Sequence, residues 1–235
     1  MNTYRKTAVV VGILFILGTL AGIFSGVLIT PITSELTYPL NISASETQWI
    51  IGTLLILLMG FPLAMVPVFL YPLLKKHNEV LALGAVVFRG LLEAVCYMCM
   101  VISNFLLLSV SQVFGQTGVA DTSMQILGST LISAGEWTSL LLGIVFSIGG
   151  MMIYLVFYQA NLVPRWLSGW GFVGAILYLI VHFEGFFGTQ QALSLGSGLG
   201  FLMIPLAIQE MVFAVWLIIK GFNRSSVQDL SAKTE

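Results

Sequence analysis

Long apolar runs separated by short polar segments dominate the hydrophobic pattern of this chain. A helix that crosses the hydrocarbon core of a bilayer needs about 20 predominantly apolar residues. Six runs reach that length, and they predict transmembrane helices over 7–30, 48–73, 80–108, 137–160, 167–187 and 197–219. Barrel strands would alternate with period two, whereas these runs are continuous. We therefore predict an all-α bundle of six transmembrane helices that forms a single domain over residues 1–235.

Composition supports this fold class and narrows the classes of function. The chain is 58% hydrophobic and 8% charged, with a formal net charge of −1, whereas soluble domains carry about 25% charged residues. A soluble fold is excluded because too few polar residues are present to cover its surface. The near-zero charge gives no electrostatic basis for binding nucleic acid, so we predict none. The predicted partner is the lipid bilayer; the sequence predicts no cofactor and does not define an oligomeric state.

The positively charged residues predict how the chain crosses the membrane. Eight of the nine Lys and Arg residues fall on one side of a six-span arrangement, and the ninth, Arg89, lies within the third span. The opposite-side segments 31–47, 109–136 and 188–196 contain no Lys or Arg. The positive-inside rule therefore predicts that both termini lie in the cytoplasm. We expect a multi-pass protein of the inner or plasma membrane.

The segment 109–136 is the longest stretch between predicted spans. Asp121 is suited to cap a short helix that lies along the membrane surface and leads into the fourth span. An ordered loop fits the same residues. Both interpretations keep this segment on the outer side.

A small group of charged and polar residues lies inside the predicted spans. The group comprises Arg89 and Glu93 in the third span, His182 and Glu184 in the fifth, and Gln209 and Glu210 in the sixth. Arg89 and Glu93 are four residues apart and share a helix face. At 1.5 Å per residue, Arg89 and Glu210 lie at similar depth near the bilayer midplane. Because an unpaired charge in hydrocarbon is costly, we predict that Glu210 holds Arg89, with Glu93 as second partner.

Three functions fit these residues. The favoured one is binding or transport of a small polar or lipid-like ligand at a buried charged site. The alternative is an accessory membrane protein whose Arg–Glu pair fixes two helices together. The third is an intramembrane hydrolase with Glu93, His182 and Glu210 as metal ligands. The sequence contains neither an H-E-x-x-H motif nor a nucleophile beside a base. We therefore expect no catalytic residue and no metal site.

Several motifs resemble a known family. They are F-R-G-L-L-E-A-V-C-Y in the third span, N-L-V-P-R-W-L-S-G-W-G between the fourth and fifth, and I-P-L-A-I-Q-E-M-V-F-A-V-W-L-I-I-K-G-F in the last. Together they resemble a family of prokaryotic membrane proteins described as a domain of unknown function, DUF4386. The resemblance covers almost the whole chain and implies a polytopic, bacterial membrane protein, but no substrate or reaction. Pro164 in the second motif disfavours helix at Val163, so the fourth helix should end near there.

Overall fold

Helices account for nearly all of the structure, a computed structural model that describes residues 3–34, 42–117, 122–187 and 199–232. The helix α3 is continuous, and it consists of an α-helical part Glu79–Ala85, a π-helical part Val86–Leu92 and a second α-helical part Glu93–Thr117. The other helices are α1 (Thr3–Thr33), α2 (Glu46–Leu74), α4 (Thr122–Gln159), α5 (Arg165–Glu184), α6 (Ile204–Ile219) and α7 (Arg224–Ala232). Short 3₁₀ turns, Ile42–Ser45 and Gly200–Met203, precede α2 and α6. These described residues contain no β-strand.

Six of the described helices, α1 to α6, are long and apolar enough to cross a membrane. Large apolar side chains such as Leu17, Val27 and Phe61 are more than half exposed on their outer faces. In a soluble protein such a surface would aggregate, whereas hydrocarbon accepts it. The chain is therefore an all-α, multi-pass membrane protein, which confirms the predicted fold class.

The helices α3 and α4 extend well beyond the predicted spans. Because α3 ends at Thr117 and α4 begins at Thr122, most of the segment 109–136 is helical. Residues 122–136 continue directly into the rest of α4 and do not form a separate surface helix. The 38 residues of α4 reach about 57 Å at 1.5 Å per residue, well beyond a hydrocarbon core of about 30 Å. The predicted spans were too short because polar residues lower the hydropathy of a segment without ending its helix. Asp121, the predicted cap, lies outside the described residues.

Two prolines mark helix starts. The predicted end of the fourth helix near Val163 is confirmed, since α4 ends at Gln159 and Pro164 immediately precedes α5. Pro205, which the predicted span 197–219 placed inside a helix, lies instead in the first turn of α6. A proline at that position loses no helical hydrogen bond, because the first N–H groups of a helix have no partner.

The main apolar core lies toward the end of the bundle that holds the first and last described residues. It joins buried side chains of α1 to α6 with Val227 and Leu230 of α7. Phe157 and Phe213 are fully buried there, with ring centroids 5.3 Å apart. Since α7 packs its apolar side on this core, it closes one end of the bundle.

Candidate functional site

Arg89 binds two carboxylates in the interior of the bundle. Its Nη1 donates to both oxygens of Glu93, at 2.9 and 2.8 Å, and its Nη2 donates to Oε1 of Glu210 at 2.8 Å. The side chains of Arg89 and Glu93 are 2% and 0% exposed, and that of Glu210 is 14% exposed. We call Arg89, Glu93 and Glu210 the charge triad. It joins α3 to α6.

The triad confirms the predicted Arg89–Glu210 contact and reverses the predicted order of the partners. Glu93 makes two contacts with Arg89 and is fully buried, whereas Glu210 makes one and keeps some exposure. Depth along a helix is readable from the sequence because the rise per residue is constant. The order of the partners could not be predicted in this way, because the direction of each side chain depends on the rotation of its helix and not on its depth in the membrane.

The helix α3 changes its hydrogen-bonding pattern at Arg89. Residues Val86–Leu92 form a π-helical segment, and the N–H of Glu93 reaches back to the carbonyl of Phe88, five residues earlier. Such segments are rare in proteins, and those that occur often lie at functional sites. Here Arg89 lies within the segment and Glu93 directly follows it, so the segment sets how the two side chains face each other.

Two aromatic rings also lie close to the guanidinium of Arg89. The Cζ atom of Arg89 lies 3.6 Å from the ring centroid of Phe146 and 6.0 Å from that of Phe15. Phe146 contacts Tyr178 at 5.0 Å between centroids, and Tyr178 stacks on His182 at 4.2 Å. A desolvated cation over an aromatic face gains about 2 kcal/mol. The rings therefore help to hold a buried charge and connect it to His182.

A second polar contact lies beside the triad. The Tyr154 hydroxyl donates to Oε1 of Gln209 at 2.9 Å, and Nε2 of Gln209 donates to the carbonyl of Leu167 at 3.1 Å. Gln209 is completely buried and Tyr154 is 4% exposed. These bonds join α4, α5 and α6 one residue before Glu210. They fix the rotation of α6, and with it the position of that carboxylate.

The remaining two candidate residues do not bind the triad. His182 is buried, and its Nδ1 donates to the carbonyl of Tyr178 at 2.8 Å. Glu184 is exposed near the end of α5. No three His, Cys, Asp or Glu residues converge as possible metal ligands in the part of the chain that the structure describes. The set of Glu93, His182 and Glu210 drawn from the sequence is therefore not assembled.

The sequence analysis did not identify several residues around the triad, among them Phe15, Phe146, Gly149, Tyr154 and Tyr178. Phe146 and Tyr154 are eight residues apart, so they share a helix face, and Tyr178 precedes His182 by one turn. That spacing was a readable signal. It was weak, because aromatic residues at helical spacing are common on lipid-facing surfaces.

The site is closed. Every buried side-chain nitrogen and oxygen in the described residues has a hydrogen-bond partner. Cavities of about 810, 400, 350 and 260 Å³ are all lined by residues outside the triad. Glu210 is the one triad member with appreciable exposure.

Fold and site together define a multi-pass α-helical membrane protein with a buried, hydrogen-bonded charge triad. A family model described as Domain of unknown function (DUF4386) matches residues 10–221, and the chain belongs to that family. This confirms the resemblance, and the matched region contains the whole triad. No curated protein and no solved structure matches the chain.

Proposed function

We propose that this protein is a binding or transport protein of the cell membrane, and that its charge triad takes up a proton or a small cation. The observation that supports this function is the charge balance of the triad. Two carboxylates share one guanidinium, at 2.8–2.9 Å. With both carboxylates ionised, the buried group would carry a formal charge of −1.

Neutralising Arg89 does not require the second carboxylate. Arg89 and Glu93 already form a neutral pair that uses both carboxylate oxygens. An acidic side chain at the centre of a membrane helix costs at least about 2.5 kcal/mol. A proton or a cation on the extra carboxylate would remove that cost.

Glu210 is the member suited to exchange. It makes a single contact with Arg89 and is the most exposed of the three. Glu93 would still neutralise Arg89 when Glu210 releases its hydrogen bond to Arg89. In this function Glu93 keeps Arg89 in place, and Glu210 meets the incoming positive charge.

The test measures cation binding and proton uptake on the purified full-length protein. Na⁺, K⁺ and methylammonium are added at constant ionic strength, and the melting temperature is followed, because a ligand of the folded state raises it. Infrared difference spectra recorded between two pH values report a carboxyl group that gains a proton. We expect at least one of these responses in the wild type, and its loss in Glu210→Gln.

Glu184→Gln is the matched control, because it removes the same charge from an exposed position outside the triad. It should keep the response that Glu210→Gln loses, with only the small contribution of an exposed carboxyl group removed from the infrared spectrum. Identical responses in the wild type and Glu210→Gln would contradict uptake of a proton or cation at the triad.

The pairing of the buried polar atoms favours a second candidate, an accessory protein in which the triad only holds α3 against α6. All buried polar side-chain atoms of the described residues are satisfied. Buried ion triads can often be replaced by apolar residues without loss of stability. For this function the triple variant Arg89→Met, Glu93→Leu, Glu210→Leu should fold with near wild-type stability, and the wild type should show neither a cation response nor a carboxyl band that depends on Glu210.

A further inference from the structure

A basic cavity of about 810 Å³ lies at the end of the bundle where α1 begins, α6 ends and α7 packs. Arg5, Lys220 and Arg224 contribute to its wall, and none of its described lining residues is acidic. By the distribution of Lys and Arg along the chain, this end is the predicted cytoplasmic face. We call this space the basic cavity.

Local chain geometry builds the cavity. Gly221 follows α6 with φ of +74°, the left-handed conformation that glycine adopts freely. Arg5 donates to the last carbonyl oxygens of α6, those of Leu217, Ile218 and Ile219. The start of α1 is thereby fixed to the end of α6, and α7 forms the wall opposite.

No carboxylate of the described residues pairs with the basic groups that line the cavity. Within the described ranges, none of Arg5, Lys220 and Arg224 forms a salt bridge. Lys76 adds a fourth charge from the turn after α2, because its Nζ donates to the Tyr4 hydroxyl at 3.0 Å and to Oγ of Ser231 at 3.1 Å. Tyr4 and Ser231 both line the cavity. Such a site attracts an anion, and guanidinium and ammonium groups are the usual partners of phosphate oxygens.

An apolar groove of about 400 Å³ continues from the basic cavity along the outer face of α6. Ile219 and Lys220 line both spaces. The groove is otherwise formed by Met211, Val212, Val215 and Trp216. Val215 and Ile219 are 47% and 65% exposed, so this face is open to lipid.

From the charged cavity and the groove that adjoins it, we propose that this end of the bundle binds an anionic phospholipid. The lipid phosphate occupies the basic cavity near Lys220 and Arg224, and one acyl chain lies in the groove beside Val215 and Trp216. Basic pockets at the cytoplasmic ends of membrane helices suit anionic headgroups. A soluble phosphate compound would use the cavity and leave the groove unused.

Native mass spectrometry of the full-length protein tests the proposal with two probes, phosphatidylglycerol and phosphatidylcholine of identical acyl chains. The wild type should retain phosphatidylglycerol more strongly. The double variant Lys220→Gln, Arg224→Gln should weaken its retention by about thirtyfold, since each basic residue near a lipid surface contributes about 1 kcal/mol. Phosphatidylcholine retention should change little.

The matched control is Lys75→Gln, Arg165→Gln, which removes the same charge at exposed positions outside the basic cavity. It should retain phosphatidylglycerol as the wild type does, and all proteins should melt at similar temperatures. Equal retention of the two lipids by the wild type, or an equal loss in the control variant, would overturn the proposal. Displacement of the lipid by an equimolar amount of glycerol 3-phosphate would also overturn it, because the ligand would then be a soluble phosphate compound.

Discussion

Gly149 lies against the backbone of Arg89 with no space for a side chain between them. A Cβ atom at Gly149 would come within 2.6 Å of both the backbone nitrogen and the Cβ atom of Arg89. The backbone of α4 therefore packs directly on the π-helical segment of α3. This close approach brings Phe146, less than one turn earlier on α4, over the guanidinium. Glycine at 149 thus determines the surroundings of the charge triad.

The first prediction concerns this contact. Gly149→Ala should destabilise the protein by about 1–3 kcal/mol, the usual cost of overpacking, because the nearest atoms are largely backbone. The measurement is thermal unfolding in detergent. Gly135→Ala is the control, since Gly135 lies on the same helix with open space around its Cβ position. It should be neutral or slightly stabilising, because alanine favours a helix more than glycine does; an equal loss in both variants would contradict a specific effect of the contact with Arg89.

The second prediction ranks the members of the triad by stability. Arg89→Gln leaves two carboxylates without a cation and should cost about 3–5 kcal/mol. Glu93→Gln should cost less, and Glu210→Gln least, because the fully buried Arg89–Glu93 pair survives in it. The double variant Arg89→Gln, Glu93→Gln should recover part of the Arg89→Gln loss. Melting temperatures of the four variants check this order, and a Glu210→Gln variant less stable than Arg89→Gln would contradict it.

The third prediction concerns the polar contact beside the triad. Tyr154→Phe removes the donor to Gln209 and leaves a buried amide oxygen without a partner, which should cost about 1–3 kcal/mol. Tyr158→Phe is the matched control, since Tyr158 lies one turn later on α4 and is 45% exposed. Thermal unfolding should separate the two variants. Equal melting temperatures would show that the hydroxyl of Tyr154 contributes no stability.

The fourth prediction concerns topology. It uses a background in which Cys96 and Cys99 are replaced by Ala, because the protein contains these two cysteines. The uneven distribution of Lys and Arg predicts that Thr122→Cys faces outward and Ser225→Cys inward. In intact cells an impermeant thiol reagent should label Thr122→Cys alone. Labelling of Ser225→Cys from outside would refute the cytoplasmic location of the C-terminus.

The sequence by itself determined the fold class and the main members of the triad. Length and apolar content are properties of each segment alone, so six helices were predictable before any helix was packed. The helix break before Pro164 was equally local, because the ring of proline restricts the preceding residue. The Arg89–Glu210 contact followed from depth, which is fixed by a constant rise per residue.

Only the tertiary structure decided how these residues are arranged. The stronger contact of Glu93, the ring of Phe146 on Arg89 and the contact with Gly149 depend on the rotation and separation of neighbouring helices. The basic cavity likewise joins Arg5 to Lys220 and Arg224 across almost the whole chain. Rotation and separation are set by many side chains packing at once between segments distant in sequence. The sequence of one segment therefore does not determine the rotation or the separation of its helix, and these contacts could be identified only in the assembled bundle.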